Sequence, residues 1–235
     1  MNATKTALVT GASSGIGLAI AAKLLAEGYQ VYGIGRNFDD ENTPKDLKRL
    51  AYDLTDTKKL PAFLSGNIKE KLSLLVNCAG VAYYGPHETI SAASIHEMVT
   101  VNVEVPMLLS ALYLRDLREN GGSIVNISSV TAKLSNNSFG CAYGATKAAL
   151  SHFSEALFEE TRKQGVRIIT IHPDLTDTDL YRHADFRPGT SADTVLSPEE
   201  VADAVIWAVN QRDGLVVGDI TLRPQRLQIK RDEKK

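Results

Sequence analysis

A glycine-rich segment near the amino terminus constrains the fold more than any other part of this sequence. Thr10-Gly11-Ala12-Ser13-Ser14-Gly15-Ile16-Gly17 follows a short apolar run that contains β-branched residues. Residues 15–27 come next, and their apolar side chains recur at the spacing of a helix that Gly28 ends. A buried strand, a tight turn and a helix in this order predict the first unit of a mainly parallel α/β sheet.

The alternation of strands and helices continues along the chain. Residues 197–200, Ser-Pro-Glu-Glu, combine a capping serine, a proline at the first helical position and a glutamate three residues after the cap. This pattern predicts a helix that ends near Asn210, and we expect the charged residues 230–235 to be solvated. The other predicted strands are 6–10, 30–34, 72–76, 123–128, 166–171 and 214–222, and the longest predicted helices are 95–117 and 143–164.

Composition and charge limit the class of protein. The 235 residues are 43% hydrophobic and 23% charged with a net charge of −2, which predicts one soluble domain over residues 1–235. A sequence pI of about 6.2 provides no general attraction to nucleic acid. No uninterrupted apolar run approaches the length of a membrane-spanning helix.

Two further features bear on location and on metal binding. Glycines interrupt the apolar stretch after Lys5 too early for a secretory signal, so we expect a cytoplasmic protein. The only cysteines, Cys78 and Cys141, do not have the spacing of metal ligands, and we expect no metal site.

The glycine-rich turn has the properties of a pyrophosphate site. The first turn of a helix carries free N–H donors and a partial positive charge, which attract phosphate oxygens. Gly11 permits a tight turn, Gly15 lets the backbone approach the phosphates, and Gly17 allows close packing of helix and strand. The turn therefore predicts a dinucleotide site, although its spacing differs from GxGxxG.

The end of the second predicted strand indicates which dinucleotide binds. An acidic residue there would bond the adenosine ribose hydroxyls and repel a 2′-phosphate, but this chain reads Gly33-Ile34-Gly35-Arg36. The planar guanidinium of Arg36 can hold a phosphate through several donors. We therefore expect NADPH or NADP+ to be preferred over NADH.

A tyrosine and a lysine four residues apart form a candidate acid–base pair. Tyr143 and Lys147 lie on the same face of the predicted helix 143–164. A phenol with its ordinary pKa of about 10 exchanges protons poorly at neutral pH, and a neighbouring ammonium lowers that pKa. We expect the pair to make proton transfer feasible near pH 7.

Several motifs occur in one order along the chain and together indicate a family. They are the turn at 10–17, Asn77-Cys78-Ala79-Gly80, Asn102, Ser128-Ser129, Tyr143 with Lys147, and Pro173. From Lys5 to about Leu222 the chain resembles the short-chain dehydrogenase/reductase family. The resemblance implies a three-layer Rossmann-like fold, in which helices cover both faces of a seven-stranded, mainly parallel sheet. It also implies that the cofactor lies across the carboxyl ends of the strands.

The resemblance implies a catalytic tetrad of Asn102, Ser129, Tyr143 and Lys147. In this pattern Tyr143 exchanges a proton with the substrate oxygen, which Ser129 orients. Lys147 holds the nicotinamide ribose and lowers the pKa of Tyr143, and Asn102 supports a water that links the lysine to solvent. The cofactor-binding residues that it implies, with Arg36 added from the strand-end argument, are Gly11, Ser13, Ser14, Ile16, Gly17, Arg36, Asp53, Leu54, Asn77, Ala79, Gly80, Tyr143, Lys147, Pro173, Thr176 and Thr178.

Departures from the family pattern concern the surroundings of this site. Tyr143 follows Ser129 after 14 positions, so we expect one extra residue in the intervening loop. Cys78 replaces a commoner asparagine, which is expected to alter a sheet contact rather than the chemistry. Asp174 replaces a glycine and could restrict backbone approach to the nicotinamide, although aspartate tolerates turns. Cys141, two residues before Tyr143, could line the substrate pocket, but we expect it to be a small buried hydrophobic residue.

These features predict an NADPH-dependent reductase of ketones or aldehydes, reversible as an alcohol dehydrogenase. A 3-oxoacyl carrier-protein reductase is an alternative, which would need a basic patch beside the cleft. Arg115, Arg118 and Lys133 are the candidates for that patch. A second alternative is a non-catalytic sensor that binds NADPH, which would have no need for the Tyr143–Lys147 pair.

The sequence leaves the substrate open. We expect a small-molecule carbonyl or alcohol and a lid formed by residues 178–195. The amphipathic helices 95–117 and 143–164 are those through which the family usually forms homodimers or homotetramers. Candidate pocket residues are Tyr83, Tyr84, His87, Asn136 and Phe139.

Overall fold

A computed structural model describes residues 5–134 and 137–231 of the chain. Nine strands are present in these residues. They are β1 (Thr6–Thr10), β2 (Gln30–Gly35), β3 (Lys48–Ala51), β4 (Leu74–Asn77), β5 (Ser123–Ile127), β6 (Arg167–Pro173), β7 (Phe186–Pro188), β8 (Asp219–Leu222) and β9 (Ile229–Arg231).

Seven of the strands form one sheet. Its order is β3-β2-β1-β4-β5-β6-β8, and every neighbouring pair is parallel. The strand order reverses beside β1, where the chain passes to β2 on one side while β4 lies on the other. A crevice forms at such a reversal, outside the carboxyl ends of the strands. The Rossmann-like fold with a seven-stranded parallel sheet is confirmed.

Helices cover both faces of this sheet. They are α1 (Gly15–Ala26), α2 (Leu60–Asn67), α3 (Ala92–Val99), α4 (Val105–Glu119), α5 (Cys141–Thr161) and α6 (Pro198–Val209). Because side chains alternate along a strand, Val9 of β1 packs with α1 and α6, whereas Leu8 packs with α2, α4 and α5. The sheet therefore separates two apolar cores, and burial of both faces explains the continuous apolar runs in its central strands.

One continuous helix of 28 residues, Ala92–Glu119, contains α3, a π-helical segment Thr100–Glu104 and α4. Its length and its mean hydropathy of 1.3 over an 18-residue window would suffice to cross a membrane. Half of that window is buried inside the fold, which is the pattern of a core helix packed against a sheet.

The remaining strands, β7 and β9, form a separate antiparallel ribbon that pairs Phe186 with Arg231 and Pro188 with Ile229. Lys230 is exposed, as the sequence predicts for the charged residues 230–235, and the ribbon adds strand pairing as far as Arg231. Residues 232–235 lie outside the described part. Strand β8 occupies only the end of the predicted span 214–222. Strand β3 and helix α2 were not predicted.

Candidate active site

The carboxyl ends of the central strands open into a cleft of about 1110 Å³. This volume suits a dinucleotide together with a small substrate. All of the predicted cofactor-binding and catalytic residues line the cleft except Asn77 and Asn102. The topology thus brings together residues that are separated by more than 160 positions in the sequence.

The glycine-rich turn forms a backbone cradle at one end of the cleft. Gly11 and Gly15 have positive φ values of 69° and 52°, which disfavour any other residue. A Cβ atom on Gly17 would lie 2.2 Å from the carbonyl oxygen of Gly11. Ser14 is the N-cap of α1, yet its hydroxyl makes no capping hydrogen bond, and the first turn contains no acidic residue. The helix therefore presents its positive end to the cleft, and the cradle fits a pyrophosphate.

The Thr10 side chain joins this turn to the segment that follows β4. Its hydroxyl oxygen accepts hydrogen bonds of 3.0 Å from the backbone N–H groups of Cys78 and Ala79. Burial raises the pKa of the Cys78 thiol to about 12, which keeps it protonated and unreactive. Asn77 points into the sheet instead, where its amide donates to Asn126 at 2.8 Å. Asn77 does not line the cleft, and its predicted contact with the cofactor stays a prediction.

Ser129 and Tyr143 meet in the middle of the cleft. Tyr143 lies in the first turn of α5 and is buried, and its phenol is hydrogen-bonded to the Ser129 hydroxyl. The neighbouring Ser128 faces the other way, since its hydroxyl donates to the carbonyl of Lys147 at 3.0 Å. The alternation of side chains at the end of β5 thus separates the two serines as the sequence indicates.

Lys147 lies one helical turn after Tyr143 and is 4% exposed. Its Nζ donates to the carbonyl of Ile127 at 2.8 Å and lies 5.8 Å from the centroid of the Tyr143 ring. Burial lowers the pKa of Lys147 to about 8, because the charged form loses its solvation.

The pKa of the Tyr143 phenol is raised, whereas the sequence predicted that Lys147 would lower it. Burial raises its pKa, the neighbouring Tyr181 adds to the increase, and the hydrogen bond with Ser129 opposes it. In the free protein, burial therefore outweighs the expected effect of Lys147 on this pKa. Tyr143 is protonated at neutral pH, which is the state of a proton donor.

Asn102 lies in the π-helical segment and is fully buried. Its amide oxygen accepts from the N–H of Val81 at 2.9 Å, and its amide nitrogen donates to the Val81 carbonyl and the Thr146 hydroxyl at 2.9 and 3.0 Å. The side chain thus fastens the segment after Gly80 to α5. Its predicted part in a water chain stays a prediction.

Arg36 follows β2 directly and is exposed on the cleft. A backbone hydrogen bond from Thr55 lowers the pKa of Asp53, and the charge of Arg36 also contributes. The acidic residues just beyond Arg36 are turned to other partners: Asp39 accepts from the N–H of Glu41 at 3.0 Å, and Asp40 pairs with Arg49. Arg36 thus lines the cleft together with Asp53 and Leu54 of the predicted adenine site.

The segment after Pro173 lines the cleft and reaches the glycine-rich turn. The Asp174 carboxylate accepts from the N–H of Leu175 at 2.9 Å. Within the described residues only Phe139 combines a side chain with a positive φ, so Asp174 needs no left-handed conformation. Thr178 contacts the turn, because a Cβ on Gly15 would lie 3.0 Å from its methyl group. The replacement of glycine by Asp174 is accommodated by a local hydrogen bond.

The candidates for a basic patch are not at the cleft. Arg115 pairs with Glu119 near the end of α4, which is at the opposite edge of the sheet from the carboxyl ends. Arg118 lies on that same turn. Lys133 donates to Asp219 at 2.6 Å. None of the three lines the cleft in the described part of the chain.

A buried histidine supports the backbone of Ser129. His172 of β6 has its Nδ1 3.1 Å from the Ser129 carbonyl and its Nε2 2.8 Å from the carboxylate of Asp219. Burial lowers its pKa. The histidine thus braces the backbone that carries Ser129.

Only some of the predicted pocket residues line the cleft in the described part of the chain. Tyr84 and Phe139 line the cleft, whereas Tyr83 donates to Glu97 at 2.6 Å and stacks on His183. Asn136 lies outside the described residues. The expectation of a buried Cys141 is wrong, since it is exposed with its Sγ 3.4 Å from Nδ1 of His87. Two cleft residues, Tyr181 and Phe186, were missed because no local pattern marks them.

Comparison with known proteins agrees with this arrangement. The family model for short chain dehydrogenases matches residues 5–186. An uncharacterized oxidoreductase of Staphylococcus epidermidis is 31% identical over 230 residues, which are 94% of this chain and 97% of the relative. An uncharacterized short-chain type dehydrogenase/reductase of Sinorhizobium fredii is 29% identical over 233 residues, covering 95% and 93% of the two chains.

Solved structures have the same fold. An alcohol dehydrogenase from the archaeon Thermococcus sibiricus, complexed with 5-hydroxy-NADP, superposes with a TM-score of 0.82 at 24% identity over 96% of this chain and 99% of that one. A metagenomic short-chain oxidoreductase in complex with NADP gives 0.77 at 28% identity over 94% and 97%. The family match over most of the chain, together with these likenesses, shows that this protein belongs to the short-chain dehydrogenase/reductase family of oxidoreductases.

Proposed function

We propose that the protein is an NADPH-dependent reductase of ketones or aldehydes, reversible as an alcohol dehydrogenase. The observation that carries this proposal is the meeting of Ser129, Tyr143 and Lys147 in one cleft beside a backbone cradle for pyrophosphate. The metagenomic relative is complexed with NADP, and a 4-hydroxyisoleucine dehydrogenase of the same fold is complexed with NADH, which supports a nicotinamide cofactor here.

Each wall of the cleft has a part in holding the cofactor. The turn from Gly11 to Gly17 binds the pyrophosphate, and Asp53 and Leu54 border the adenine. Ala79 and Gly80 border the adenosine ribose, and Pro173, Thr176 and Thr178 close the nicotinamide pocket. When bound, the nicotinamide supplies the hydride for the reaction.

The side chains of α5 and β5 supply the proton. As the carbonyl carbon gains a hydride, Tyr143 donates its phenolic proton to the carbonyl oxygen, which yields the alcohol and a tyrosinate. Ser129 donates a hydrogen bond to the same oxygen, and the Lys147 ammonium stabilises the tyrosinate. Because its pKa is raised, Tyr143 holds its proton at neutral pH and has it to donate at the start of the reduction.

Replacement of Tyr143 by phenylalanine tests the chemistry. We expect the Tyr143→Phe variant still to bind NADPH but to lose about 10²- to 10⁴-fold in turnover, which is the usual contribution of a positioned acid. NADPH oxidation would be followed by absorbance with a panel of ketones, aldehydes, quinones and 3-oxoacyl thioesters. Tyr113→Phe, in α4 away from the cleft, is the control. Wild-type turnover by Tyr143→Phe would contradict the proposed mechanism.

The preference for NADPH rests on Arg36. We expect Arg36→Ala to raise the KM for NADPH at least about tenfold and to leave the KM for NADH unchanged, because only the former has a 2′-phosphate to bind. Arg212→Ala, which removes an exposed charge outside the cleft, is the matched control. Equal Michaelis constants for the two cofactors in the wild-type protein would exclude the role of Arg36.

Neither alternative gains support from the geometry. Arg115 and Arg118 lie near the far end of α4, and Lys133, next to the cleft residues Thr131 and Leu134, is paired with Asp219. The three candidates therefore form no basic patch beside the cleft. A sensor would gain nothing from Tyr143, Ser129 and Lys147 placed together. We also propose that the reductase acts in the cytoplasm on a small molecule, as a homodimer or a homotetramer.

A further inference from the structure

The cleft wall next to Tyr143 is built from aromatic rings. The ring centroid of Tyr84 lies 5.6 Å from that of Tyr143 and 5.1 Å from that of Phe186, and Tyr181 lies 5.5 Å from Phe186. Burial raises the pKa of Tyr84 and of Tyr181, the latter to about 12, so both phenols are neutral. The proton donor thus stands beside uncharged aromatic faces.

The mouth of the cleft is apolar as well. Of the nine large apolar side chains that are exposed within the described residues, four line this cleft. They are Leu134 (46% exposed), Phe139 (57%), Leu227 (71%) and Ile229 (45%). Apolar surface that gathers in one concave place, rather than being scattered, marks a site that a ligand covers.

Phe139 adds a second observation at the same mouth. Its φ of 62° is in the left-handed region, where a bulky side chain is strained. A hydrogen bond of 2.7 Å from the N–H of Gly85 to its carbonyl holds this turn beside Tyr84. A strained, exposed aromatic residue that the surrounding structure holds in place indicates a functional position.

Residues 223–231 supply two of the apolar side chains at the mouth. Leu227 and Ile229 belong to residues 223–231, which the β7–β9 ribbon ties to the lid segment 178–195. Arg226 adds a backbone hydrogen bond of 2.7 Å and an ion pair of 3.4 Å to Asp193. The two apolar side chains are thus held facing the cleft by several bonds on either side.

Charged residues also border the cleft, among them Arg182, Asp185 and Arg223. The guanidinium of Arg182 donates to the Asp179 carbonyl at 3.2 Å and acts electrostatically on Tyr83, which is not part of the aromatic wall. The wall itself, made of Tyr84, Tyr181 and Phe186, offers rings and no charge.

We infer that the substrate carries a bulky aromatic group a few bonds from its carbonyl, bound between the aromatic wall and the apolar mouth. This inference rests on the proposed reductase function. The carbonyl oxygen points to Tyr143 and Ser129, and the ring packs in offset or edge-on contact with Tyr84 and Phe186. Leu227, Ile229 and Phe139 cover its outer side.

Three ketones with the same reacting carbonyl test the inference: butanone, benzylacetone and the cyclohexyl analogue of benzylacetone. We expect kcat/KM with NADPH to be at least about tenfold higher for benzylacetone than for butanone, because the ring leaves water. We expect the cyclohexyl analogue to fall at least about twofold below benzylacetone, since it lacks the aromatic contacts. Equal values for butanone and benzylacetone, or for the two ring compounds, would overturn the inference.

Variants at the mouth separate substrate contact from folding. Leu227→Ala should lower kcat/KM for benzylacetone at least about threefold, through KM, and leave butanone unchanged. Leu215→Ala, another exposed leucine outside the cleft, should change neither. Phe139→Gly should raise thermal stability by relieving the strain while also raising the KM for benzylacetone. Equal losses for both ketones in Leu227→Ala would contradict the proposed contact.

The failure of this inference can be told from failure of the reductase proposal. Tyr143-dependent turnover without a preference for benzylacetone removes only the inference. If none of the three ketones is turned over, calorimetric titration of the protein with NADPH and benzylacetone still measures the site. Binding that is weakened by Leu227→Ala supports the aromatic site without the chemistry, and absence of binding overturns it.

Discussion

Lys147 is a cation that the fold buries beside a phenol, and its charge decides what the pair can do. Lys147 is 4% exposed and its Nζ donates to the carbonyl of Ile127, and its pKa falls to about 8. The ammonium is therefore present at neutral pH but is lost in mildly alkaline solution. Tyr143, whose pKa burial raises, keeps its proton over the same range.

The pH dependence of reduction follows from these two groups. We expect kcat/KM for ketone reduction to be level below pH 8 and to fall about tenfold per pH unit above it, because neutral Lys147 no longer stabilises the tyrosinate. Initial rates between pH 6 and 10 measure this profile. In Lys147→Arg the charge persists and the alkaline fall should disappear. A level profile up to pH 10 in the wild-type protein would contradict the assigned pKa.

The same burial makes a prediction for stability. Below pH 8 Lys147 is charged in both the folded and the unfolded chain, so the cost of burying the charge is fully present. Between pH 8 and 10.5 the folded chain releases the proton while the unfolded chain keeps it, so stability rises with pH. The free energy of unfolding of the wild type relative to Lys147→Met should increase by about 3 kcal/mol over this range. Urea titrations at several pH values measure it, and a constant difference would contradict it.

Among the elements, α6 begins with a complete capping box. The Ser197 hydroxyl accepts from the N–H of Glu200 at 3.2 Å, and the Glu200 carboxylate accepts from the N–H of Ser197 at 2.7 Å. We expect Ser197→Ala to lower the free energy of unfolding by about 1 kcal/mol in urea titrations and to leave turnover unchanged. Ser65→Ala, within α2, removes no cap and should cost nothing; an equal loss there would show that the cap is not the cause.

The sequence predicts those helices and strands whose residues show a local pattern, such as regular apolar spacing, a glycine turn or a helix cap. The strand, turn and helix from Thr6 to Ala26 were predicted from apolar spacing and glycines, and α6 from its cap. Strand β3 has the sequence Lys-Arg-Leu-Ala and buries only Leu50, so it shows no apolar run. The β7–β9 ribbon pairs residues about 40 positions apart over three residues each, and such pairing leaves no local periodicity.

In the candidate site too, residues related by local spacing could be predicted, and residues from distant segments could not. Tyr143 and Lys147 could be paired from the sequence because helical spacing fixes their relation. Tyr84, Tyr181 and Phe186 come from distant segments, and only the tertiary fold brings their rings together. The raised pKa of Tyr143 could not be predicted from the sequence either. It results from burial in the folded protein, whereas the sequence shows only that a lysine is near.

At the scale of the whole molecule, helices α4 and α5 both present apolar surface to solvent. On α5 the exposed residues Ala145, Ala148 and His152 follow one another at helical spacing and form a flat stripe of mostly small side chains. On α4, Met107 and Leu112 are 38% and 40% exposed. Both helices pack on the same face of the sheet, so a second copy related by a two-fold axis could cover both at once.

We therefore expect light scattering to give a mass of two or four times the 25.5 kDa of one chain. Ala148→Arg places a charge in the middle of the α5 stripe, where two copies would bring like charges together without a partner, and should reduce the mass to a smaller assembly. Ala62→Arg adds the same charge to an exposed position of α2 and should leave the mass unchanged. A wild-type mass of one chain would show that the protein does not form this dimer. An Ala148→Arg variant with the same oligomeric mass as the wild type would show that the interface lies elsewhere. Because α5 also carries Tyr143 and Lys147, turnover of the Ala148→Arg variant would further show whether the packing of two copies helps to hold the catalytic helix in place.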